Sequence, residues 1–189
     1  PEFSKDIHMI EPFDLPKHWK RFVSIDFGSS HPFCALWIVE TPAGYYSADS
    51  TLIVYRELYW VNHTTIESGR EINRINKLHD EEIHWYVADP ESKDGRLTLG
   101  RECNIRTLPA PKHMGVNEGI NMVREYLQLD QEGKSRLLFF PTVKNTLREF
   151  RLYKWDNKSK KDVVKKTDDH AMDSLRYGIM QYQRMEAHR

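Results

Sequence analysis

The apolar positions of the chain fall first into short runs and then into helical spacing. Phe22 to Ile25, Phe33 to Val39 and Leu52 to Trp60 are rich in β-branched and aromatic residues, and each predicts a strand. The first run ends at Asp26-Phe27-Gly28, and Thr41-Pro42-Ala43-Gly44 supplies a turn between the second and third. Three strands in series with short connections predict an antiparallel meander. The period then changes. Ile72, Ile75 and Leu78 recur at threes, which predicts a helix over 65–80. Ile83 to Ala88 reads as a strand ending at Asp89-Pro90, and because it follows a helix it is expected to run parallel to the first. Ile105 to Leu108 suggests a further short strand. Val116, Ile120, Val123 and Leu127, at i, i+4, i+7 and i+11, predict an amphipathic helix. Leu137 to Phe140 reads as a buried strand closed by Pro141. Phe150 to Trp155, the Asp156-Asn157 turn and Val163 to Lys166 predict a basic hairpin over about 150–166, and a helix is expected from about Asp168 to Met185. Residues 1–20 hold three prolines and no period, so they read as an extension or linker before one domain over 21–189. The order predicts an α/β mixed sheet, meander plus parallel strands, with helices on both faces.

Composition changes this picture little. The 189 residues are 39% hydrophobic with 5 Trp, 9 Tyr and 8 Phe, enough to bury a core. Cys34 and Cys103 stand apart with no CxxC pair, so neither a disulfide framework nor a Cys-based zinc site is expected, and a reducing compartment fits. No apolar run approaches the ~18 residues of a membrane span, and no signal segment opens the sequence.

Charge matters through its distribution. The formal net charge is zero, yet residues 141–166 hold nine Lys/Arg against Glu149, Asp156 and Asp162. A basic segment on a chain that is acidic elsewhere is compatible with a DNA-cutting site. The same segment also reads as an ordinary solvated hairpin.

The candidate chemistry lies in carboxylates at element ends. Asp26 ends an apolar strand, where a carboxylate is costly unless compensated; it also reads as a turn residue before Gly28. Asp89 ends the second core strand, where open α/β sheets place ligands; it also reads as an Asp-Pro turn. If the two strands are parallel neighbours, their carboxylates repel, and a divalent cation resolves the repulsion. In the last helix Thr167 reads as N-cap, and Asp168 and Asp169 favour the helix N-terminus. Asp173 has no such local reason. Met172, Leu175, Ile179 and Tyr182 form one face, and Asp169 and Asp173 lie along its rim. His170 is a candidate ligand, orienter or proton carrier, or an inert histidine at a helix start. All-oxygen ligands favour Mg2+ or Mn2+ over zinc, and two such ions about 4 Å apart support phosphodiester hydrolysis.

Several of these segments together resemble a known family. They are Pro12-Phe13-Asp14-Leu15-Pro16, Phe22 to Gly28 running into Ser29-Ser30-His31-Pro32, Val87-Ala88-Asp89-Pro90, Tyr153-Lys154-Trp155-Asp156, and Asp169-His170-Ala171-Met172-Asp173-Ser174-Leu175-Arg176-Tyr177. Over roughly 10–182 the chain resembles the nuclease domain of large terminase subunits of tailed phages, most specifically in the last segment. The resemblance implies a ribonuclease-H-like fold and a two-metal endonuclease that cuts concatemeric double-stranded DNA during capsid filling. It implies Asp26, Asp89 and Asp173 as metal ligands, with Asp169 as a further ligand or His170 as a catalytic neighbour. The hairpin would contact DNA or regulate access. Lys144, Arg148, Arg151, Lys154, Lys158, Lys160 and Lys161 would hold phosphates without reading sequence. The family's motor half carries a Walker A loop; no G-x-x-x-x-G-K-[ST] occurs here, so the packaging ATPase domain would lie upstream. Portal and small terminase subunit are implied as partners, and the host cytoplasm, transiently at the procapsid portal, as the location. Other readings stay open: a Holliday-junction-resolvase-like nuclease, an actin-like ATP-binding domain suggested by Asp26-Phe27-Gly28-Ser29-Ser30, and a non-catalytic module that docks DNA or a portal.

Overall fold

The structure, a computed structural model, describes residues 3–28, 31–112, 115–152 and 169–188. In chain order its elements are α1 (Lys5–His8), β1 (Arg21–Asp26), β2 (Phe33–Glu40), β3 (Leu52–Trp60), α2 (Thr65–Leu78), β4 (Trp85–Ala88), α3 (Lys93–Cys103), β5 (Thr107–Pro109), α4 (Val116–Leu127), β6 (Leu137–Phe139), α5 (Lys144–Leu152) and α6 (His170–Glu186).

The strands form one mixed sheet in the order β5-β4-β1-β2-β3-β6. β1, β2 and β3 are the expected antiparallel meander, and β4 pairs parallel to β1. β5 and β6 extend the two flanks in parallel. Five of the six strands therefore point the same way, with β2 reversed, and the carboxyl ends of β1, β3, β4, β5 and β6 share one edge. The sheet is covered on both faces, which is why β2 reads as a continuous apolar run rather than an alternating one: seven of its eight residues are buried. One face packs Val23, Ile25, Ala35 and Trp37 against Ile72, Ile75, Leu99 and Cys103 from α2 and α3. The other packs Phe22, Leu36, Ile38 and Val54 against Leu127, Leu147, Met172, Leu175, Ile179 and Tyr182 from α4, α5 and α6.

The periodic helices formed where expected. α2 opens with a capping box in which Thr64 Oγ1 accepts from Glu67 N and the Glu67 carboxylate accepts from Thr64 N. Of its three spaced apolar residues, Ile72 and Ile75 are buried and Leu78 is exposed at the helix end. Three helices were not anticipated: the four-residue α1 within the leading segment, α3 and α5. α3 carries Gly95 and Gly100, and only Leu99 and Cys103 are buried. It stops at Asn104, whose φ of 56° closes the helix in the left-handed region. α5 overturns part of the expected hairpin: Phe150, Arg151 and Leu152 end a helix instead of starting a strand. Val143, Leu147 and Phe150, at i, i+4 and i+7, pack on the sheet, and that burial outweighs strand propensity. The remainder of the hairpin segment, 153–168, lies outside the described residues. The last helix starts later than expected, with Asp169 as N-cap rather than Thr167.

The leading segment packs along the body. Phe3 stacks on Phe150, the His8 ring bonds Leu127 O through Nε2 at 2.9 Å, and Ile10 N donates to Phe139 O at 3.0 Å. The buried Arg21 guanidinium donates to the carbonyls of Leu15, Lys17 and Trp19. Cys34 and Cys103 are free and buried. Among the described residues no helix is long and apolar enough to cross a membrane.

Candidate active site

Strand alternation decides which carboxylates meet. In β1, Val23 and Ile25 face α2 and α3, and Phe22 faces α6. Asp26 is in step with Phe22 and Ser24, so it points to the α6 side. The β1–β4 register pairs Ile25 with Ala88, and Asp89 N donates to Ile25 O at 3.3 Å. Asp26 and Asp89 thus end adjacent parallel strands side by side. Val87 packs against Tyr177 of α6, and alternation carries Asp89 to that same face.

α6 brings the third group. It sits low on the sheet, because Ser174 Oγ donates to Ser24 O at 2.9 Å and Gly178 permits a close approach: a Cβ there would lie 3.1 Å from Ser24 Cβ and from Ile38 Cδ1, tighter than ordinary contact. That seat carries the first turn over the strand ends. His170 Nδ1 lies 2.9 Å from Asp26 Oδ2. Asp173, one turn further on, accepts from Arg176 Nη2 at 2.8 Å. Asp169 caps the helix through its backbone, its carbonyl accepting from Asp173 N at 2.8 Å. Asp89 Oδ1 accepts from Glu91 N at 2.9 Å.

The electrostatics show one converging field. Asp26 is 7% exposed, and burial lifts its pKa from 3.8 to about 6; the His170 hydrogen bond opposes the rise, and the charges of Asp173 and Asp89 add to it. His170 is raised in turn, first by its hydrogen bond to Asp26, against desolvation, with Asp169 and Glu149 contributing. The Tyr177 hydroxyl is pushed up by burial and then by Asp173, Asp89 and Asp26 together. Among the described residues no group of three His, Cys, Asp or Glu is close enough to hold a metal ion as the side chains lie. Asp173 is turned to Arg176 and Asp89 to the Glu91 amide, so both would exchange those partners to share a cation with Asp26. The donor set fits a hard divalent ion: carboxylate oxygens, one of them buried and held against the charge of the other two.

The expected phosphate-gripping residues divide. Lys144, Arg148 and Arg151 are exposed on α5, and the Arg148 guanidinium lies 5.6 Å from the Tyr59 ring centre. Lys154, Lys158, Lys160 and Lys161 lie outside the described residues.

Two acids escaped the sequence reading. Glu149 of α5, fully buried, accepts from Tyr59 Oη at 2.7 Å, Ala171 N at 2.8 Å and Met172 N at 3.1 Å. It therefore caps α6 from a different helix, satisfying amides that the first turn cannot. Burial pushes its pKa up to about 7 despite those donors. Glu57 of β3 does the same for α5, accepting from Asn145 N at 2.7 Å and Thr146 N at 2.9 Å. The helix bearing His170 and Asp173 is thus tied by carboxylates, through α5, to the sheet. The available signal was the Val143, Leu147, Phe150 spacing, which makes 144–152 a helix and Glu149 an acid between its apolar and exposed sides.

No family model and no curated protein matches the chain. Solved structures do. The large terminase of the thermophilic bacteriophage D6E, in complex with ADP, superposes with a TM-score of 0.78 at 23% identity over 94% of this chain. The chain spans 42% of the length of that protein. The nuclease domain of the P22 large terminase gives a TM-score of 0.74 at 22% identity, covering 96% of this chain and 90% of that domain. The large terminase nuclease domain of bacteriophage SPP1, with bound Mn, gives 0.67 at 16% identity, covering 94% and 97%. With its mixed sheet, its two helical layers and near-complete coverage of these domains, the chain has the ribonuclease-H-like fold of phage large terminase nuclease domains.

Proposed function

We propose that this chain is the nuclease domain of a tailed-phage large terminase and cuts double-stranded DNA with the help of divalent metal. The observation that carries the reading is the pairing of Asp26 and Asp89 at the ends of adjacent parallel strands, under a helix turn whose Asp173 charge acts on Asp26. The Mn bound by the SPP1 domain supports a metal of the Mg2+ or Mn2+ kind. Asp26 and Asp89 would hold one ion, and Asp173, with Asp169 at the rim, a second. Ions bound there would activate water for in-line attack on a phosphodiester and stabilise the leaving oxygen. His170 holds Asp26 Oδ2 and so orients that carboxylate.

The exposed Lys144, Arg148 and Arg151 would grip backbone phosphates without reading bases, giving low sequence specificity. The same role is assigned to Lys154, Lys158, Lys160 and Lys161. In this reading a packaging ATPase domain precedes the chain, portal and small subunit are its partners, and it works in the host cytoplasm at the procapsid portal. The test is supercoiled plasmid with Mn2+ or Mg2+. Nicked and linear products should appear, and excess EDTA should stop their formation. A folded protein that leaves plasmid intact across both metals would overturn the nuclease reading.

A further inference from the structure

A second cationic surface lies on the flank of the sheet away from α5. It is a groove of about 660 Å3 that begins at Pro90, the residue after Asp89, and is lined by Lys93, Arg96, Lys112 and Arg184. These come from three places: the start of α3, the chain leaving β5, and the end of α6. Among the described lining residues Glu91 is the one acid, and it is paired with Lys112 at 2.8 Å. Four cations against one acid on a chain of zero net charge is a local field, not a reflection of the whole.

Arg96 is held there by packing more than by pairing. Its Nε is buried with no hydrogen-bond partner among the described residues, and its Nη2 reaches the Pro90 carbonyl at only 3.5 Å. The half-buried guanidinium, with one long bond to protein, keeps its charge and its Nη donors for an oxyanion in the groove. Lys93, Lys112 and Arg184 are exposed.

We propose that this groove binds the sugar-phosphate backbone of duplex DNA. The placement relative to the acids argues for an extended polyanion over a small one. The sheet order puts β4 and β1, with Asp89 and Asp26, between this groove and the α5 cations beside β3. Arg148 rests on Tyr59, near the carboxyl end of β3. A duplex whose backbone meets both patches lies across Asp26 and Asp89. The location rests on the nuclease reading; the ligand chemistry rests on the groove alone.

The test is binding of a labelled duplex followed by fluorescence anisotropy in EDTA over a KCl series, comparing the wild type with a Lys93→Gln, Lys112→Gln, Arg184→Gln triple variant. The slope of log affinity against log salt should become shallower by about two to three, at ~0.9 per phosphate contact, and affinity at 0.1 M salt should fall by about tenfold or more. Arg184→Gln alone should shift the slope by about one, which keeps the test decisive if the triple variant folds poorly. Unchanged slope and affinity in a folded variant overturn the proposal. So does a groove that binds polyglutamate, and loses it in the variant, while duplex binding stays the same. Because no divalent cation is present, a protein that fails to cut plasmid yet shows the slope change would lose the nuclease reading and keep the groove.

Discussion

Asp26→Asn is expected to yield a protein that is more stable than the wild type by about 1–3 kcal/mol in EDTA at pH 8, and that cuts DNA at least about 100-fold more slowly in Mn2+. The two effects share one cause. In the folded chain Asp26 ionises near 6 instead of 3.8, because it is buried and faces Asp173 and Asp89. The folded state therefore holds a proton more tightly than the unfolded state. Its ionised carboxylate costs free energy above pH 6, and that cost is relieved as pH falls from about 6 towards 4. The rise corresponds to roughly 3 kcal/mol as an upper figure, and the His170 bond is already counted in it. Asparagine removes the charge and the cost together.

On the proposed nuclease reading it also removes an oxygen donor for the divalent cation. Losing even an outer partner of a metal ligand typically costs 10–100-fold, so losing Asp26, if it holds the ion as proposed, costs no less. Mn2+ should compete with protons at this site, and its affinity should drop as pH falls through about 6. Urea melts at pH 8 and pH 5 in EDTA, with plasmid cutting alongside, check the set. An Asn variant that is no more stable at pH 8, or that cuts at the wild-type rate, would remove Asp26 from the centre of the site.

Glu149→Ala should act in the opposite direction on stability. It strands the Tyr59 hydroxyl and the Ala171 and Met172 amides in a buried setting, at about 1–3 kcal/mol for each unsatisfied group before relaxation. A loss of roughly 3 kcal/mol is expected, seen as a fall of about 10 °C in Tm for a domain of this size. Cutting should fall as well, because the freed turn carries His170. Glu149→Gln keeps one carbonyl acceptor and sheds the buried charge. Burial holds the Glu149 pKa at about 7 against 4.5, so the wild-type carboxylate adds a stability that is greatest at low pH and is lost as pH rises from about 4.5 to 7. At pH 8 the Gln protein should therefore lie within about 1 kcal/mol of wild type. An Ala variant of wild-type stability would show that α6 starts without this cap.

Strands and helices that bury one complete face were legible in advance. β1, β2 and β3 announced themselves by apolar runs, α4 and α6 by their spacing, and the α/β order by the switch between periods. α3 was not, because Gly95 and Gly100 and a sparse apolar face leave local propensity against it; packing against α2 overrides that. α5 was misread in its last residues because basic side chains crowd a stretch whose buried positions are few. Asp26, Asp89, His170 and Asp173 stood out since each sits at an element end with incomplete local reason to be acidic or ionisable. Glu57 and Glu149 did not, because their partners lie 22 to 90 residues away in sequence. A local motif such as Thr64–Glu67 leaves a trace in adjacent letters; a cap supplied across the fold leaves none.

The shallow seat of α6 has a mechanical meaning. On the proposed nuclease reading, hydrolytic geometry tolerates misplacements of only about half an ångström, and a long helix resting on bulky side chains could rock by that much. With Gly178 and Ser174 against Ser24, the rod is clamped near its middle, and the turn that bears Asp173 is a short cantilever. A methyl group at 178 would act as a shim under that clamp, so a change far from any reacting atom would be felt as lost alignment at the free end.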